Sequence, residues 1–121
     1  MDEYRWPHPA GVDAVNRLLR LPVHGQEQDW EIELADGDRL AEFLDAFETA
    51  ELDQEGRSAL ALLILFSITY AENQVSQADL QRVGSAIHGD PEILRRMRSY
   101  WSDGFQDNEE AVKDLLADLP R

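Results

Sequence analysis

Hydrophobic and polar residues follow two different periods along this chain. From Asp36 onward the period is helical. Leu40, Phe43, Leu44 and Phe47 stand at i, i+3, i+4 and i+7, which predicts a helix over about 38–49 with one buried face. Asp53 is placed to cap a following helix that runs to about Ala71. The second half of that helix is apolar nearly all round (Leu60, Leu62, Leu63, Ile64, Leu65, Phe66, Ile68), the pattern of a central, buried element. Ser76 with Asp79 forms a capping-box pattern, with Asp in place of the usual Glu or Gln, ahead of a stripe of Leu80, Val83 and Ile87 that Gly89 ends. Asp90-Pro91 reads as an N-cap followed by proline at the first helical position, with Ile93, Leu94, Met97, Tyr100 and Trp101 facing inward. After Gly104, a last helix over about Asn108–Leu119 would pack Val112, Leu115, Leu116 and Leu119.

The first 35 residues read differently. Pro7, Pro9, Gly11, Pro22 and Gly25 mark residues 1–28 as an irregular segment with one short helix, about Asp13–Leu21, whose apolar face is Val12, Val15, Leu18 and Leu19. Between Asp29 and Leu34 apolar residues occupy positions 30, 32 and 34, and acids occupy 29, 31 and 33. This period of two predicts an extended or β segment with Trp30 facing the core. A lone strand needs a partner, here residues 21–26 or the same segment of a second copy. The expected fold is therefore mostly α: a compact bundle of about five to six helices with one short extended/β segment near residues 29–34. Short connections favour a single domain over 1–121, with a helical body over 36–121. Consecutive helical hairpins suggest a solenoid, but no repeat period accompanies them.

Composition narrows the possible partners. The 121 residues carry 25 Asp+Glu against 11 Lys+Arg, a formal charge of −14, and no cysteine. Without cysteine there is no disulfide framework and no thiolate metal or redox site. Strong negative charge opposes binding to nucleic acid and to anionic membrane surfaces. The longest apolar run, Ala59 to Ala71, is too short to span a bilayer, and the acidic start lacks the basic and apolar stretches of a secretory signal. A cytoplasmic location is the expectation.

The charge is concentrated. Eleven acids lie between Asp29 and Glu55 with Arg39 as the one base, a local charge of −10. On the predicted elements, Asp29, Glu31 and Glu33 share the polar face of the strand. Asp38, Glu42 and Asp45 form a helical stripe, with Glu48 one turn further on. These seven residues are the candidate partner-binding surface, a docking face for a basic protein, set against the plainer reading of a solvated face that keeps the protein soluble. The arginines Arg82, Arg95, Arg96 and Arg98 are expected to pair with the acidic flanks.

Catalytic patterns are missing. His8, His24 and His88 stand far apart, no zinc-protease, Cys/His or nucleophile-elbow motif occurs, and Ser85 lies within a helical pattern. No cofactor is implied. Asp36-Gly37-Asp38 suggests a calcium loop, but the twelve-residue pattern with its terminal bidentate Glu is absent. A small carboxylate-dependent enzyme stands as the minor alternative.

Three stretches together, Trp30-Glu31-Ile32-Glu33-Leu34-Ala35-Asp36, Leu40-Ala41-Glu42-Phe43-Leu44 and Arg57-Ser58-Ala59-Leu60-Ala61-Leu62-Leu63-Ile64-Leu65, resemble small, acidic, mostly helical bacterial proteins. Some of these act as immunity proteins of polymorphic toxin systems. The resemblance rests on pattern and composition over about a third of the chain. It implies a cytoplasmic inhibitor that blocks a cognate toxin, often a basic nuclease, whose phosphate-binding surface the inhibitor's carboxylates would occupy. It transfers no individual residue. The competing reading is a homodimeric structural or regulatory protein, with the strand at 29–34 pairing across a two-fold axis and the acidic surface serving solubility.

Overall fold

The computed structural model describes residues 7–23, 30–71 and 75–101, together with positions 112 and 116. Among these, all regular structure is helical. The order is α1 (Pro9–Leu19), α2 (Trp30–Glu33), a 3-10 turn (Gly37–Arg39), α3 (Leu40–Thr49), α4 (Gln54–Thr69), α5 (Gln77–His88) and α6 (Pro91–Trp101). The expectation of a mostly α bundle holds. Val112 and Leu116 are helical and buried, four residues apart on one face, and the rest of the expected last helix lies outside the described residues.

The bundle is organised around α4. Every residue from Ser58 to Ile68 is buried, because the helix carries apolar side chains on all sides and is covered by α1, α2, α3 and α6. At sixteen residues it is about 24 Å long. No helix among the described residues is long and apolar enough to cross a membrane. The two serines inside this stretch are satisfied: Ser58 Oγ accepts from Arg96 Nη1 at 3.0 Å, and Ser67 Oγ accepts from the Asp36 backbone N–H at 2.9 Å.

Local signals set the helix ends. Asp53 Oδ1 accepts from the Gly56 N–H at 2.9 Å, Ser76 Oγ from the Asp79 N–H at 3.1 Å and Asp90 Oδ1 from the Ile93 N–H at 3.3 Å. The α3 face of Leu40, Phe43, Leu44 and Phe47 is fully buried, as its spacing predicts. Gly89 ends α5 in right-handed geometry, at φ −75°, so its glycine freedom is not used there.

Two expectations need correction. The first concerns the N-terminal segment. Its helix starts four residues before Asp13, with Pro9 at the first position and the His8 Nδ1 accepting from the Ala10 N–H at 3.1 Å. Gly11 lies inside this helix where α1 meets the first turn of α4, a contact only glycine fits. A Cβ there would stand 2.3 Å from the Glu55 carbonyl oxygen. The helix stops at Arg20, which takes the left-handed conformation at φ 51° and turns Leu21 back into the core.

The second correction concerns the extended segment. Trp30–Glu33 is one turn of helix, closed by a Leu34 N–H to Trp30 carbonyl bond of 2.9 Å. The alternation predicted a strand because apolar residues at 30, 32 and 34 satisfy a period of two. Residues 30 and 34 are equally the i, i+4 pair of a helix face, and both are buried. A strand would have needed a partner for its backbone, whereas a helical turn bonds within itself. Trp30 is in the core, as expected, and its Nε1–H donates to Asn16 Oδ1 on α1 at 2.8 Å.

Candidate functional site

The helical geometry of α2 divides the acidic face. Residues two apart on a helix point to different sides, so Glu31 and Glu33 do not share a surface. Glu31 is only 4% exposed, and its carboxylate accepts from the Tyr100 hydroxyl of α6 at 2.8 Å. It is an internal link between α2 and α6, and its assignment as a partner-binding residue is withdrawn. Glu33 is exposed. Asp29 lies outside the described residues.

The α3 stripe stays on the surface but is partly neutralised from within. Arg39 grips Glu42 with two bonds, Nε to Oε1 at 2.8 Å and Nη2 to Oε2 at 2.7 Å, while Nη2 also caps the Leu19 carbonyl of α1. These bonds hold the Glu42 carboxyl below its usual range and raise Arg39 above its own. Arg82 reaches across from α5 to take both other members: Nη2 lies 2.6 Å from Asp45 Oδ1 and 2.7 Å from Glu48 Oε1. The same hydrogen bonds lower Glu48 and raise Arg82.

Arginines on α4 and α6 also pair with acids. Arg95 and Arg96 both bond Glu92, and Arg96 also reaches Glu55 at 3.2 Å. Arg57 Nε lies 3.0 Å from Asp90 Oδ2. The expected pairing of the basic cluster with an acidic flank is therefore seen for Arg82 and Arg96, whereas Arg95 bonds Glu92 one turn away on its own helix. Arg98 Nε donates to the Leu116 carbonyl. The sequence has a further acidic stretch over 103–118, six acids with Lys113 as the one base, and it lies outside the described residues apart from positions 112 and 116.

A smaller carboxylate surface lies in a different place. Asp36, Asp38 and Asp79 line an open cleft of about 460 Å³ between the Gly37–Arg39 turn, the C-terminal end of α4 and the start of α5. Among the described residues that line it, none is basic. Tyr70 forms part of the rim at 53% exposure, its ring stacked on Phe66 at 6.0 Å between centroids.

The frame is firmly set. Asp36 Oδ1 accepts from the Asp38 N–H at 3.0 Å, and the Asp36 N–H is anchored on Ser67. Gly37 is pressed against the end of α4, where an added Cβ would lie 2.8 Å from the Ala71 Cβ. The sequence spacing places Asp38 in the α3 stripe with Glu42 and Asp45, but it lies in the 3-10 turn ahead of α3 and faces this cleft instead. Asp79 was read from the sequence only as a cap, Asp36 only as part of a calcium-like tripeptide, and Tyr70 not as a site residue. They come together from three separate stretches, and no local motif signals that.

The arrangement suits a cation with hydrogen-bond donors, such as a guanidinium or ammonium group, which carboxylates and an aromatic ring both attract. Among the described residues no group of three or more His, Asp or Glu is placed to hold a metal ion. His88 ends α5 and His8 caps α1, and His24 lies outside the described residues. Against known protein families, characterised proteins and solved structures, the chain finds no match.

Proposed function

We propose that this chain is a non-enzymatic protein-binding module, an immunity-type inhibitor that acts in the cytoplasm and neutralises a basic partner such as a cognate toxin. The observation that carries this reading is the distribution of carboxylates left without an internal cation. Arginines of the chain take Glu42, Asp45, Glu48, Glu55, Asp90 and Glu92. Among the described residues no cation pairs with Asp38 or Asp79, which line one cleft beside Asp36 and an exposed aromatic ring. A partner's arginine or lysine entering there would meet carboxylates and the Tyr70 face, a contact worth about 0.5–2 kcal/mol from the ring alone.

The paired carboxylates on α3 contribute to the approach. Exposed ion pairs are worth only about 0–1 kcal/mol, so Arg39 and Arg82 can be exchanged for a partner's cations at little cost. The field of the whole surface would speed encounter and reject acidic competitors. The homodimer alternative drew its support from a strand free to pair, and residues 30–33 are instead a helical turn with Trp30 and Glu31 buried.

The test is capture from the native lysate with the tagged chain, at about 0.15 M and about 0.5 M salt, with bound proteins identified by mass spectrometry. The Debye length falls with salt, so charge-led capture weakens at the higher level. Wild type is expected to retain a basic protein, and the double variant Asp38→Lys/Asp79→Lys to lose it with an unchanged circular dichroism spectrum. Equal capture by the folded variant, or a partner that is acidic and indifferent to salt, overturns the proposal.

A further inference from the structure

We draw no further inference here: the strongest candidate, the carboxylate-lined cleft between the Gly37–Arg39 turn and the start of α5, belongs to the site already described, and nothing beyond its acids and Tyr70 shows what would fill it.

Discussion

Replacing Gly11 by alanine tests the seating of α1 on α4 with a single methyl group. The new Cβ would stand 2.3 Å from the Glu55 carbonyl oxygen and 2.6 Å from its carbonyl carbon. Both are backbone atoms, so no side chain can swing aside. Comfortable carbon contacts lie near 3.5–4.0 Å, so the two helices must part by about 1 Å, and a gap of that size forfeits roughly a quarter to a half of the dispersion energy across it. Val15 and Leu19, which α1 contributes to the core, would share that loss.

Overpacking costs about 1–3 kcal/mol, and against rigid backbone it falls in the upper part of that range, about 2–3 kcal/mol, while alanine regains about 1 kcal/mol in backbone entropy, leaving a net loss of about 1–2 kcal/mol. At roughly 2.1 cal/mol/K per residue, a chain of 121 residues has an unfolding entropy near 0.25 kcal/mol/K, so Tm should drop by about 4–8 °C. Thermal unfolding followed by circular dichroism reads this directly. Ala10→Gly, at the exposed neighbouring position, measures the entropy term alone. If helix propensity governed Gly11 as well, Gly11→Ala would raise Tm, and that result would refute the close-contact account.

Arg57→Ala should cost about 3 kcal/mol in urea unfolding, because the guanidinium joins three helices: it bonds the Phe47 carbonyl at 3.0 Å, lies 4.2 Å over the Phe47 ring and holds Asp90, the cap of α6. Combined with Asp90→Ala, the losses should fall short of additive by at least about 0.5 kcal/mol, and strict additivity would show that the two side chains act separately. Tyr100→Phe strips the hydroxyl from the buried Glu31 carboxylate and should cost about 1–3 kcal/mol, with part of the loss recovered in the double variant Tyr100→Phe/Glu31→Leu, where neither polar partner remains. No recovery would argue that Glu31 is held by something other than this bond. Hydrogen bonds from Arg95 and then Arg96 hold the Glu92 carboxyl down at about 2, against 4.5 for a free glutamate. The folded chain binds this proton more weakly than the unfolded chain, so the contribution to stability is complete above about pH 4.5 and disappears as pH falls through about 2. Carboxyl carbon NMR should show that midpoint in wild type and a higher one in Arg95→Gln, and a wild-type midpoint near 4.5 would mean that the ion pairs do not persist in solution.

The helical body was legible because its signals are local. A cap and the amide it serves are two or three residues apart, and an amphipathic stripe is visible within two turns. Asp53, Ser76 and Asp90 therefore point to helix starts without any knowledge of the fold. The N-terminal third was misread where the deciding contact is distant. Gly11 looks like a breaker in the sequence, yet its partner is the backbone of Glu55, 44 positions on. Arg20 ends α1 in a left-handed turn that no glycine announces. The segment from Trp30 to Leu34 is too short for period alone to separate strand from helix, and the tie is broken by Asn16 and Tyr100, which receive Trp30 and Glu31.

The same distinction explains the candidate site. Charge density is a property of composition and survives folding, but a charged face depends on which element carries it. Once Trp30–Glu33 is a helical turn, the three acids at 29, 31 and 33 no longer form one row, and Glu31 turns inward. Glu42, Asp45 and Glu48 lie on α3 while Asp38 sits in the turn before it, and the cation that meets Asp45 and Glu48, Arg82, comes from 37 and 34 positions away. Each such exposed pair is worth about 0–1 kcal/mol, too little to leave a pattern in sequence beyond a general supply of arginine. The cleft carries this furthest. Its acids come from positions 36, 38 and 79 and its aromatic rim from 70, and they meet because Gly37 lets the turn settle on the end of α4. A surface assembled this way is defined by where the chain's own cations settle, and that exists only after folding has brought Arg39, Arg57, Arg82, Arg95 and Arg96 to their acids.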